Sequence, residues 1–134
     1  ELGSGANDTL REKIGEDYPR DTFRHEQDLL VTENGKTALF AGCAHCGIVN
    51  ILKSAEDVLG RAPDAVFAGF HLYNPSLGKS EPDELVDAVG EKLRGDKVAH
   101  YFTGHCTGKE AYERLKRKLG DRLGEMPAGS DFTV

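Results

Sequence analysis

The chain has 134 residues, of which 38% are hydrophobic and 30% are charged, and its formal net charge is -6. This length supports one domain, and the composition is that of an ordinary folded domain rather than a disordered or fibrous chain. No stretch approaches the roughly 20 apolar residues of a membrane span, and the negative charge argues against non-specific binding to nucleic acid or to a membrane surface.

The cysteines and the first twenty residues set the expected compartment and domain limits. Three cysteines are an odd number, and no signal peptide precedes them, so we expect a reducing, cytoplasmic location. Residues 1–20 are rich in turn formers and predict a loop or linker with at most one short helical turn. A single domain is therefore expected over residues 21–134.

Regular patterns begin at residue 27. Two β-prone runs, over 27–33 and 36–41, flank Asn34-Gly35, which is the strongest short hairpin signal. Apolar residues then recur at helical spacing and predict a helix over 47–59 that Gly60 ends.

The second half alternates strand and helix patterns. A short apolar run predicts a buried strand over 65–69, and Ser80 with Asp83 resembles a capping box for a helix over 81–94. A strand is predicted over 98–103, a helix over 109–119 and a possible last strand over 131–134. This alternation predicts an α/β architecture whose sheet is at least partly parallel.

Three histidines each follow a predicted strand: His45, His71 and His105. Ligands of open α/β sheets bind outside the carboxyl ends of the strands, so these side chains are predicted to converge. One such histidine is more often structural, as we expect for His100 within a strand, but three beside glycines favour a metal site. Imidazole suits zinc, iron, manganese or nickel, and a bound ion supplies hydroxide near neutral pH.

Two further groups near these segments leave alternatives open. Cys43 and Cys46 form a C-x-x-C before a helix, which is the setting of a redox dithiol, although the aromatic and Gly-Pro residues usual in that motif are absent. His25 opens the hairpin, where polar residues usually cap the backbone. It is also a candidate fourth ligand or substrate contact.

The order of these motifs resembles one branch of the metallo-β-lactamase superfamily, the metal-dependent hydrolases similar to the dihydropterin ribofuranosylaminobenzene-phosphate synthase. The residues that carry the resemblance are Asp21-x-Phe23-x-His25-Glu26-Gln27, Leu39-Phe40-Ala41-Gly42-Cys43-Ala44-His45-x-Gly47-Ile48-Val49-Asn50, Gly69-Phe70-His71-Leu72 and Gly104-His105-Cys106-Thr107-Gly108.

The resemblance implies a four-layer αββα sandwich with one or two divalent metal ions, zinc first, between its sheets. It implies that His45 and His105 bind the metal, with His71 a ligand or its neighbour. It also implies that metal-bound hydroxide attacks a phosphoester or similar small-molecule substrate. The branch usually has Ser at the position of Ala44. Cys43 stands where better-known members have a bridging Asp, so the number of ions is open.

The superfamily's His-x-His-x-Asp-His motif has no match in this chain. We therefore expect the C-terminal half of such a hydrolase, inactive by itself, with either the missing N-terminal half or a second copy of the chain as its partner. Two other functions stay open: a non-catalytic metal-binding or structural domain and, with less support, a dithiol oxidoreductase.

Overall fold

A computed structural model describes residues 2–134, apart from the side chain of His105. One mixed sheet contains the strands β1 (Asp28–Glu33), β2 (Lys36–Ala41), β3 (Ala65–Ala68), β6 (His100–Thr103) and β7 (Leu123–Glu125), in the order β1-β2-β3-β6-β7. The strands β4 (Tyr73–Asn74) and β5 (Lys79–Ser80) form a separate hairpin. The helices are α1 (Ile48–Leu59), α2 (Asp83–Gly95) and α3 (Lys109–Leu119).

The predicted hairpin is present, and its turn explains its register. Asn34 and Gly35 both have positive φ, 50° and 79°, as a type I′ turn requires. The turn places Glu33 opposite Lys36 and fixes antiparallel pairing along all of β1 and β2. The next pairs, β2 with β3, β3 with β6 and β6 with β7, are all parallel.

Two predictions about the chain's second half are wrong. Ser80 does not cap α2, because it pairs with Tyr73 in the short hairpin, and the cap residue is Pro82, without a side-chain hydrogen bond. The last strand is β7, and residues 131–134 form no strand. Three residues around Gly124 are too few for a period-two pattern, so only pairing with β6 defines β7.

The helices cover one face of the sheet. Leu39, Val66, Tyr101 and Leu123 are aligned across four strands on this face, and each is at most 1% exposed. They belong to one hydrophobic core with buried residues of all three helices. At about 25 cal/mol per Å² of apolar surface, this burial is the main stabilising contribution.

The opposite face of the sheet carries a row of aromatic rings. The ring centroids of Phe40 and Phe67 are 4.9 Å apart, as are those of Phe67 and Phe102. Phe132 lies against Phe102 at 4.3 Å. Leu29 and Phe40, neighbours on this face, are 59% and 40% exposed, so part of the row meets solvent.

Among residues 2–134, no helix combines the length and the apolar character that crossing a membrane requires.

Candidate metal centre

The three histidine segments meet at one edge of the sheet, because β2, β3 and β6 are parallel and end on the same side. The Gly69 amide donates to the Gly42 carbonyl at 2.8 Å. The Phe70 amide donates to the Thr107 hydroxyl oxygen at 3.0 Å. These bonds join the loops that follow the three strands.

His45 and His71 form the centre of this edge. Their ring centroids are 4.1 Å apart with an interplanar angle of 54°. His71 is 7% exposed, and neither of its ring nitrogens has a hydrogen-bond partner among the described residues. Burial, and next the nearby His45, lower the pKa of His71, which favours neutral imidazole. A buried, neutral imidazole with unpartnered nitrogens fits the role of a metal ligand.

His105, the third predicted ligand, has a side chain outside the described part of the structure. Its backbone begins the 3-10 turn His105–Thr107, directly after β6 and Gly104. This turn is joined to the loop that carries His71, because the Phe70 amide donates to the Thr107 hydroxyl oxygen.

Phe23, Glu26 and Asn7 fix the position of His45 and of its loop. The Phe23 ring stacks on the imidazole with centroids 4.2 Å apart and planes 2° from parallel. Both carboxylate oxygens of Glu26 accept backbone N–H groups from the histidine loop, from His45 at 2.7 Å and from Cys46 at 2.8 Å. Asn7 contacts the ring at Nδ1 with a separation of 2.9 Å.

Backbone strain is concentrated around the same pair. Phe23, Ala44 and His71 have positive φ values of 53°, 55° and 46°. Side chains with a Cβ rarely adopt this conformation, and such residues cluster at functional sites. Among the described non-glycine residues, Asn34 alone has positive φ elsewhere, and it lies in the hairpin turn.

The N-terminal segment packs onto the site. The Ser4 hydroxyl lies 2.6 Å from the His71 backbone oxygen and 2.9 Å from Glu81 Oε1. The Ala6 amide donates to the same Glu81 carboxylate. The 3-10 helix Gly5–Thr9 is the one helical turn that the sequence allowed in residues 1–20, and it lies directly on the histidine segments.

His25 lies with Glu12 and Asp21, whose possible ligand atoms are all within 4.8 Å of one another. Its side chain is 66% exposed, with Nδ1 3.9 Å from Asp21 Oδ1. Asp21 also accepts the Phe23 amide at 2.7 Å, which is the backbone-capping role expected at the start of the hairpin.

The cysteines do not have the environment of a redox dithiol. The Cys46 thiol is directed to the Phe23 carbonyl at 3.6 Å, and desolvation together with Glu26 raises its pKa to about 11. Cys106 contacts the Cys43 carbonyl at 3.8 Å, and burial is the main cause that raises its pKa to about 11. Reactive dithiols require a lowered thiol pKa, so this environment argues against the oxidoreductase alternative.

A shallow cleft of about 310 Å³ opens beside His45, and Phe23 and Arg20 are among the residues that line it. Arg20 contacts Asp8 at 2.6 Å, and both side chains are exposed. Sequence reasoning missed Ser4, Asn7 and Glu81. Among them, only Ser4 has a local signal, as an N-cap residue for a helical turn.

These features define a class of fold that comparison with solved structures identifies. The structure is similar to that of Tm1679, described as a metal-dependent hydrolase of the β-lactamase superfamily, with a TM-score of 0.79 and 23% sequence identity. The similarity covers 96% of this chain and 50% of that one. The chain has the metallo-β-lactamase-like fold over half of its neighbour's length, which confirms the predicted α/β class.

A curated relative agrees with the branch that the motifs indicated. Over 101 residues the chain is 30% identical to 7,8-dihydropterin-6-methyl-4-(beta-D-ribofuranosyl)-aminobenzene-5'-phosphate synthase of Methanocaldococcus jannaschii. The alignment covers 75% of this chain and 32% of that protein, so the chain spans about a third of this relative. No family model matches the chain. The resemblance to this branch of the superfamily is confirmed.

Proposed function

We propose that the chain supplies part of the metal centre of a metal-dependent hydrolase, with His45, His71 and His105 as ligands. The observation that carries this proposal is the close contact of His45 with His71, whose buried ring nitrogens lack partners. The ion is zinc, or else iron, manganese or nickel, all of which bind imidazole. A divalent ion supplies Lewis acidity and lowers the pKa of bound water.

The other residues of the site orient the ligands and receive the substrate. Phe23 holds the ring of His45 and Glu26 holds its backbone, so little conformational entropy is lost when this ligand binds a metal ion. The substrate class is a phosphoester or a similar small molecule. It is supported by the ribofuranosyl phosphate in the relative's name and by the exposed Arg20 in the cleft, because guanidinium groups bind phosphate.

The whole enzyme also needs a second layer over the aromatic face of the sheet. We propose that the other half of the superfamily fold covers it, with a second copy of the chain as the alternative. The exposed side chains of Leu29 and Phe40, at one end of the aromatic row, support this, because exposed apolar groups that are neighbours on a sheet mark an interaction surface. Hydrolysis of substrate is expected from the assembled pair of halves and not from this chain alone.

Zinc binding by the purified chain tests the metal proposal. Equilibrium dialysis with elemental analysis should show bound zinc, and His45→Ala or His71→Ala should weaken binding by more than about tenfold, since even changes outside the ligand shell cost 10–100-fold. His100→Ala is the matched control, because this histidine is exposed on β6. Unchanged zinc binding in both site variants would refute the proposal.

Hydrolysis of a chromogenic phosphodiester separates the enzyme from a non-catalytic metal-binding domain. The absence of carboxylates from the three histidine segments favours this second candidate. Activity that appears when the chain is mixed with an N-terminal half of the superfamily fold supports the enzyme. Zinc binding without turnover in that mixture supports the binding domain.

Sedimentation velocity tests the covering of the aromatic face. The chain should associate with the N-terminal half or with itself, and Phe40→Thr, which keeps β propensity, should weaken association by about tenfold or more. Val58→Thr, on an exposed position of α1, is the control. A chain that stays monomeric and does not bind the N-terminal half would contradict the proposed interface.

A further inference from the structure

Asn7 contacts His45 with both ends of its side-chain amide. Its Nδ2 is 2.7 Å from the His45 backbone oxygen, and its Oδ1 is 2.9 Å from the ring Nδ1. Asn7 is 38 residues away from His45 in the sequence, and its side chain is buried, with 7% of the residue exposed. One buried amide therefore spans both the backbone and the ring of the same histidine.

The chemistry of these contacts locates a proton. A backbone carbonyl can only accept, so the Asn7 atom that faces it must be the NH₂ group. The other end of the amide is then the oxygen, which also only accepts, so Nδ1 of His45 must carry the proton. We infer that Asn7 is a positioning residue that holds His45 in its Nδ1–H tautomer and leaves the lone pair on Nε2.

The surrounding contacts prevent the ring from escaping this constraint. Phe23 fixes the ring plane, and Glu26 fixes the backbone of the same loop. A 180° flip of the ring would keep the stack but would place a carbon instead of Nδ1 against Asn7 Oδ1. Rotation of the amide would set two acceptors against each other at the carbonyl. Asn7 thereby decides which ring nitrogen can bind a cation or accept a proton.

Asn7 is itself held by the segment around it. Asn74 Nδ2 donates to the Ala6 carbonyl at 3.3 Å, and Ser4 accepts the Ala6 amide at 3.1 Å. Gly47 allows the segment to approach, because a Cβ there would lie 2.5 Å from the Leu2 carbonyl oxygen. The N-terminal segment, residues 2–7, is therefore held in the position from which Asn7 contacts His45.

Long-range ¹H–¹⁵N NMR of the metal-free chain tests the tautomer directly. In alkaline solution, the wild-type His45 ring should show a protonated Nδ1 and an unprotonated Nε2. A free imidazole prefers the opposite tautomer, so the signature is distinctive. Wild-type His45 in the Nε2–H form would overturn the inference, and this measurement needs no variant.

Variants of Asn7 separate the ring contact from a general structural role. Asn7→Ala should shift His45 toward Nε2–H and weaken zinc binding by about 10–100-fold. Asn7→Asp keeps an acceptor for Nδ1–H but loses the donor to the His45 carbonyl, so it should favour the Nδ1–H form over Asn7→Ala while weakening the backbone contact. Asn50→Ala is the control, because Asn50 also donates to a carbonyl of this loop, that of Cys46, without contacting the ring. A folded Asn7→Ala chain that keeps the Nδ1–H form would overturn the inference.

The ligand role of Nε2 rests on the proposed function, but the tautomer does not. A wild-type chain with the Nδ1–H form and no zinc binding would refute the metal proposal and support the positioning role of Asn7. Zinc binding by a chain whose His45 is in the Nε2–H form would support the metal proposal and refute the positioning role of Asn7.

Discussion

The helical layer and the loops at the strand ends differ in how well their polar groups are paired and in how strained their backbone is. In the helical layer, Arg114 of α3 bonds Asp83 and Asp87 of α2, and Lys118 bonds Asp87 and Glu91. In the loops, His71 has two unpartnered nitrogens, and three residues with a Cβ have positive φ. Paired charges stabilise the helical layer. Unpartnered polar atoms and strained backbone mark the loops as the part of the molecule that serves function.

The largest expected effect lies in the helical layer. Leu93→Ala should lower the free energy of unfolding by about 2–5 kcal/mol, since Leu93 is fully buried and its truncation leaves a cavity in the core. Urea denaturation followed by circular dichroism measures the loss. Val58→Ala, 76% exposed on α1, should change stability by less than about 0.5 kcal/mol. Equal effects of the two substitutions would contradict the assignment of Leu93 to the core that stabilises the helical layer.

Substitution of a buried residue in the loops should have the opposite effect on stability. His71→Leu should keep or raise the stability of the metal-free chain, by up to about 3 kcal/mol, because it removes two buried polar atoms without partners. The same substitution should weaken zinc binding. His100→Leu serves as the exposed control in both assays. A loss of more than about 1 kcal/mol on His71→Leu would show that the ring is satisfied in the folded chain.

The smallest effect concerns the charges between α2 and α3. Hydrogen bonds from Arg114, and next from Lys118, lower the pKa of Asp87 from 3.8 to about 2. Since the folded pKa is below the unfolded one, this stabilisation is complete above about pH 4 and is lost as the pH falls toward 2. Asp87→Asn should therefore flatten the pH dependence of the melting temperature in that range.

Asp131→Asn is the control for the acid range, because Asp131 is exposed and has no ion pair among the described contacts. If Asp87→Asn and Asp131→Asn have equal pH profiles, the charge pairs of the helical layer do not contribute to stability.

Elements whose signal is local were predicted closely. Helix α3 occupies Lys109–Leu119 as predicted, because its apolar spacing and the flanking glycines are contained within the segment. Strand β7 and the β4–β5 hairpin were missed, because strands of two or three residues carry no periodicity. Strand β7 also pairs with β6, from which helix α3 separates it in the chain. Ser80 matched a capping box by sequence, but strand pairing with Tyr73 took precedence.

The sequence by itself determined the hairpin turn, the three helices and the alternation of helices with the strands that precede the histidines, from which the meeting of the histidine segments follows. These features depend on φ preferences and on residues close in the chain. Only the tertiary structure decided how the histidines are held. Ser4, Asn7 and Glu81 act across 38 to 77 residues, and a hydrogen bond over such a separation exists only after the sheet and the N-terminal segment have packed together.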